Sequence, residues 1–261
     1  MDYQDIIHVK EDGIVTITLN RPERRNAFSP EMSESIRLAV EDAAGDDDVR
    51  VLVITGTGSA FCAGADVKAM AAGVGQPGGG GEGGGGHVSL PLLLHQFDKP
   101  VIAAINGVAV GGGLDLALAC DIRIASDQSR FAEVFIRRGL IPAMGGIFFL
   151  PRLVGIDRAC QMIWTGDMIS AEEAERIGLV TSVVPHDELE SATRELAEKL
   201  AKGPPLAIRK AKRAIYQGLG TDLETSLQVT AAAVGQLRNT EDHAEGARAF
   251  VEKREPVFRG K

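Results

Sequence analysis

Residues 101–121, VIAAINGVAVGGGLDLALACD, constrain the fold more than any other stretch. An apolar run at 101–105 has the character of a buried strand. Asn106-Gly107 turns the chain, residues 108–110 lead into Gly111, Gly112 and Gly113, and residues 114–120 are apolar except for Asp115. Two readings of the glycines stay open. They form a tight strand-to-helix packing turn, or they start a helix whose unpaired N–H groups hold an oxyanion. In the second reading the carboxylate of Asp115 lies in the first helical turn, close to whatever those N–H groups bind.

A second buried-type strand at 49–55 runs into GTGSAFCAGAD at 56–66. In a parallel sheet the loops after 49–55 and 101–105 face the same side. Neither loop carries the Gly-Lys-Ser/Thr of a phosphate loop or the G-x-S-x-G of a nucleophile elbow. Upstream, residues 6–9 and 14–19 read as strands joined by a hairpin turn at Glu11-Asp12-Gly13. A polar loop with Arg21, Arg24 and Arg25 follows, and Ser29-Pro30 then caps and starts a helix to about residue 44. Asp46-Asp47-Asp48 is either a solvated loop or a cation site.

A short helix at 66–72 precedes residues 73–86, where ten of fourteen residues are glycine. That tract is expected to be mobile, a lid or a stretch disordered until ligand binds. A helix is expected at 87–97, a strand at 122–126, a helix from the 143–146 turn to 153 and another at 157–164, with Trp164 in the core. Residues 131–138 leave helix and strand both open. Ser170 and Glu173 have capping-box spacing, and a last strand is read at 180–184. Helices at 187–201, 205–217, 221–237 and 240–253 then replace the alternating pattern, dividing the chain into an α/β core domain, 1–190, and a helical region, 191–261.

Composition sets outer limits. The chain has 261 residues, 44% of them apolar, with a net charge of -8 and no basic tract, which argues against a nucleic-acid partner. Cys62, Cys120 and Cys160 are scattered and odd in number, as expected in a reducing compartment. No secretory signal is read at the start, and no apolar run reaches the roughly 20 residues that span a bilayer. The expectation is a cytoplasmic protein with no membrane partner.

Taken together, NRPERRNAF (20–28), GSAFCAGADVKAM (58–70), KPVIAAINGVAVGGGLDLALACDIRIAS (99–126), FAEVFIRRGLIPAMGG (131–146), LPRLVG (150–155) and TGDMISAEEAERIGLVTSVVP (165–185) resemble the crotonase superfamily, the enoyl-CoA hydratase/isomerase family. The resemblance runs from about residue 14 to 258. It implies a spiral of ββα repeats with a C-terminal helical region used for trimerisation or as a lid, in a homotrimer or dimer of trimers. It also implies a coenzyme A thioester substrate, with no metal and no cofactor beyond the coenzyme A that the substrate carries. The backbone N–H groups of Ala65 and Gly112 are implied to hold the thioester oxygen as the enolate forms. Arg24, Arg25, Ala27, Ala63, Asp66, Val67 and Lys68 are implied near the coenzyme A, and Phe258 near the ligand of a neighbouring subunit.

The chain departs from the family's hydratases at the acids. Asp115 falls on the first of their two carboxylate positions, the second falls on Phe135, and a position acidic in some isomerase branches falls on Ala143. A phenyl ring transfers no proton. Glu133, two residues before Phe135, shares its face on a strand but points to the far side on a helix. With Asp115 as the one clear base, the expected chemistry leans toward double-bond isomerisation over hydration. The alternative is a non-catalytic acyl-CoA binder that lacks the second carboxylate. Phe135, Phe148 and Phe149 are candidates for the wall of an acyl pocket.

Overall fold

The computed structural model describes residues 3–66 and 89–261. Strands β1 (Ile6–Glu11) and β2 (Ile14–Leu19) form the expected antiparallel hairpin, with Glu11 opposite Ile14. Its two-residue turn needs positive φ twice, and Asp12 (51°) and Gly13 (77°) supply it. Helix α1 (Pro30–Gly45) starts where the sequence places it: the Ser29 side chain accepts from the Met32 N–H at 3.0 Å, and Pro30 occupies the first turn.

A repeating path follows. Strand β3 (Val51–Gly56) lies in a large sheet and β4 (Ala60–Cys62) in a small one. The chain next appears in α2 (Leu90–Gln96). The second repeat is β5 (Val101–Ile105), β6 (Val108–Val110) and α3 (Gly112–Leu118). The third is β7 (Ile122–Ser126), β8 (Arg130–Ala132) and a 3-10 turn at Val134–Arg138. Helices α4 (Gly146–Val154) and α5 (Ile156–Thr165), strand β9 (Ile169–Ser170), helix α6 (Ala171–Arg176) and strand β10 (Ser182–Val184) complete the layers. Helices α7 (Leu189–Ala201), α8 (Pro205–Gly218), α9 (Leu223–Leu237) and α10 (Glu241–Glu252) end the chain.

The large sheet has the order β1-β2-β3-β5-β7-β10, parallel except for the β1–β2 hairpin. The small sheet has the order β4-β6-β8-β9, parallel except for β8–β9. Central strands are apolar on both faces because both are covered. Leu52, Ile54, Ala103 and Ile105 face the main core with α1 and α3, while Val51, Val53, Ile102 and Ala104 face a second cluster with Leu189 and Ala197 of α7. This is the expected α/β spiral of ββα units.

Several expectations are corrected. Trp164 is 71% exposed, not in the core. The buried stripe of α5 is Ala159, Met162 and Ile163, at i, i+3 and i+4, which leaves residue 164 outside it. Only half of the capping box forms: Ser170 accepts from the Glu173 N–H, but the Glu173 carboxylate binds Arg176 instead. The ambiguous stretch 131–138 is both things in turn, strand to Ala132 and 3-10 from Val134. Val67, Lys68 and the glycine tract 73–86 lie outside the described residues.

Candidate active site

Strands β4, β6 and β8 are parallel neighbours, so the residues that leave them emerge side by side. Strand β4 ends at Cys62 and releases Ala63-Gly64-Ala65, β6 ends at Val110 and releases Gly111-Gly112, and β8 ends at Ala132 and releases Glu133. Val110 and Ala132 are register partners, and the Gly111 N–H donates to the Ala132 carbonyl at 2.9 Å. Glu133 therefore begins its course beside the start of α3.

The first two loops touch because two positions lack a Cβ. A Cβ on Gly113 would collide with the Cys62 carbonyl. One on Gly64, which holds φ +79°, would stand 2.7 Å from the Val110 carbonyl and 3.1 Å from the Gly112 nitrogen. Ala65 follows Gly64 and pairs with Phe28 in a single parallel bridge. Gly112 is the first residue of α3, and its N–H has no acceptor within its own helix. The Phe28 ring and the Met144 thioether crowd Gly112, so its surroundings are apolar.

The arginine loop is tied to the same edge. Ala63 N–H donates to the Arg25 carbonyl at 3.0 Å, and Phe28 N–H donates to the Gly64 carbonyl at 2.8 Å. Asn26, fully buried, donates from its amide to the Thr57 and Ala60 carbonyls and accepts from the Arg21 N–H. Arg21 also lies 3.8 Å from the Asp66 carboxylate. Ala27 is buried, whereas the side chains of Arg24 and Arg25 are exposed on the rim.

Asp115 sits in the first turn of α3, where every residue is buried. Its Oδ2 accepts from the Met144 N–H at 3.0 Å, and its Oδ1 lies against Gly146. Glu133 meets it. A Cβ on Gly146 would overlap Asp115 Oδ1 and stand 3.1 Å from Glu133 Oε1. Both carboxyl groups are inaccessible to solvent. Burial pushes the Asp115 carboxyl up to about 6, against the Met144 N–H bond and the nearby Glu133 and Gly146, which pull it down. Burial, then the Asp115 charge, then the hydrogen bond to Asp115 push Glu133 up to about 10.

Of the two conformations left open for Glu133, the structure takes neither. At φ -97° and ψ 81° it is the junction between β8 and the 3-10 turn, so helical rotation does not carry it away from Asp115. The departure at position 135 stands: Phe135 is half-buried, with its ring edge against Gly111. Phe148 and Phe149 meet edge-on at 5.1 Å, Phe148 lies under Arg152, and Phe149 packs toward Gly145. Phe258 packs against Gly246 of α10 and is not brought into this cluster. Met144, Gly146 and Asn26 were not among the expected site residues. Hydrogen bonding by backbone N–H leaves no mark on residue type, and only the paired glycines at 145–146 hinted at a close approach.

The geometry supplies a helix-start N–H, a second loop backbone held against it and a buried carboxyl one turn away. The family model for enoyl-CoA hydratase/isomerase matches residues 9–261, and the chain belongs to that family of enzymes, within the crotonase superfamily. It is 38% identical to the short-chain-enoyl-CoA hydratase of Clostridium acetobutylicum, over 97% of each chain. It is also 38% identical to the 1,2-epoxyphenylacetyl-CoA isomerase of Escherichia coli, over 96% of this chain and 97% of the other. The crystal structure of enoyl-CoA hydratase from Bacillus anthracis superposes with a TM-score of 0.89 at 38% identity, covering 99% of this chain and all of that one.

Proposed function

We propose that this chain isomerises the double bond of an enoyl-CoA through an enolate. The Ala65 and Gly112 N–H groups oppose the charge that develops on the thioester oxygen, in a setting where one such donor is typically worth about 3–4 kcal/mol. Asp115 takes a proton from the carbon next to the thioester. The electron pair passes into the enolate, and the acid so formed returns the proton two carbons away as the double bond moves. The observation that carries this reading is the convergence of the Asp115 and Glu133 carboxyl groups on Gly146, both out of solvent. Hydration asks for water held between base and acid, whereas here both carboxyl groups are buried against the 144–146 turn.

Hydration is the second reading. The carboxyl that Phe135 does not provide is present in Glu133, which also removes the argument for a mere binder that rested on a missing acid. Incubation with 2-enoyl and 3-enoyl CoA esters, followed by mass spectrometry and absorbance, separates the two. Isomerisation changes absorbance at constant mass, and hydration adds the mass of water. Acyl-CoA binding without either change overturns both.

In the same reading Arg24, Arg25, Ala27, Ala63 and Asp66, with Val67 and Lys68, hold the coenzyme A. The hydrogen bonds between the arginine loop and residues 63–64 support this. The chemistry as written needs no metal and no further cofactor. A homotrimer or dimer of trimers, with Phe258 meeting a neighbour's ligand, belongs to the same reading, and apolar side chains exposed on α9, Leu223 and Leu227 among them, support the assembly. No helix among the described residues is long and apolar enough to cross a membrane. Three free cysteines support a cytoplasmic setting.

A further inference from the structure

We propose that Glu133 is a positioning residue for Asp115: its carboxyl stays protonated and donates a hydrogen bond to Asp115 Oδ1, holding the base ionised inside an apolar site. The inference rests on the function proposed above, but its argument is geometric. Asp115 Oδ1 and both oxygens of Glu133 are buried, and no donor among the described residues reaches any of the three. The two groups converge on Gly146, and no described cation bonds the open oxygens of either. Two ionised carboxylates in contact and out of water repel strongly, so the pair holds one proton.

The proton's place follows from the partners. Asp115 Oδ2 accepts the Met144 N–H at 3.0 Å, and this bond favours its charged form. Glu133 accepts none from the described residues, so the neutral form costs it nothing. Its hydroxyl then satisfies the one Asp115 oxygen that the 144–146 turn leaves open. The arrangement explains how a carboxyl in a fully buried helical turn is kept ready to accept a proton. A lone carboxyl there would be driven toward its neutral form by burial. Glu133 loses and gains no proton during turnover, since the proton taken from the ester is returned by Asp115.

Two variants test this through the pH dependence of kcat on an enoyl-CoA that the wild type converts. Glu133→Gln keeps a donor in place but has no proton to transfer, and it is expected to keep kcat within about tenfold of wild type, with the acid limb near its original position. Glu133→Leu removes the donor. The acid limb is expected to move up by about one pH unit or more, with kcat near pH 7 falling, KM little changed and the deficit shrinking toward pH 9.

Glu133→Gln as damaged as Glu133→Leu would mean that Glu133 transfers a proton itself, and would overturn the proposal. So would a Glu133→Leu enzyme that titrates like wild type. If Glu133→Leu does not fold, the Glu133→Gln profile alone decides. If the wild type converts no ester, the proposed function fails first. The Glu133 claim is then read from the carboxylate infrared band of Asp115 against pH, in wild type and in Glu133→Gln. A midpoint that stays in place supports it, and one that rises by a unit or more overturns it.

Discussion

Helices α3 and α9 are opposites in the same chain. Every residue of α3 is buried, and no residue of α9 is. Helix α3 is specified entirely from within. Glycines at 64 and 113 let two backbones touch, parallel register brings Glu133 alongside, and the Met144 N–H holds Asp115. Helix α9 packs on α8 and leaves Leu223 and Leu227 facing out. The chain thus builds its chemistry from contacts it makes with itself and leaves apolar surface for another surface to cover. Propensity alone rarely stabilises a helix in water, so within the chain α9 rests on its packing against α8.

Adding one methyl group to each helix tests the contrast. Gly113→Ala forces the Cys62 carbonyl away from α3 and separates the two N–H donors. Overpacking of this kind costs about 1–3 kcal/mol, and turnover should fall with it. Thermal melting and kcat measured together check this, and an unperturbed enzyme would show that the loops need not touch. In α9 a Cβ on Gly235 meets nothing within 4 Å in the isolated chain. Gly235→Ala should stabilise by about 0.5–1 kcal/mol, because helical glycine is entropically costly. A loss of stability there would reveal a partner packed against Gly235.

Between these lies an effect of pH. Glu133 is held neutral well above the ordinary carboxylate range, so the native chain keeps a proton that the unfolded chain releases. As pH rises from about 4.5 toward about 10, the unfolded state binds fewer protons than the native one, and stability falls. Glu133→Gln removes this dependence. Its melting temperature should exceed that of wild type by a margin that grows from pH 5 to pH 9. A constant margin would show that Glu133 ionises freely.

Much of the α3 side was legible in the sequence. The strand-turn-glycine-helix pattern at 101–121 located Asp115, and the caps at Ser29 and the turn at Asp12-Gly13 fell where turn chemistry puts them. What Glu133 faces was not legible, because that is set by the register of β6 on β8, two strands of three residues each. Strands that short carry almost no periodic signal. Trp164 was misplaced for a related reason: one step of helical phase decides whether it is core or surface. The strand-or-helix alternatives for 131–138 do not describe Glu133, because the junction residue belongs to neither.

The account stands or falls on whether Asp115 forms an enolate against the Ala65 and Gly112 donors. Exchange of the hydrogens next to the thioester of butyryl-CoA in deuterium oxide tests this without knowledge of the natural acyl group. The wild type should exchange them, with an acid limb near pH 6. Asp115→Asn should bind the ester with similar affinity and exchange it about 10²–10⁴-fold more slowly. An Asp115→Asn enzyme that exchanges at the wild-type rate would contradict the account.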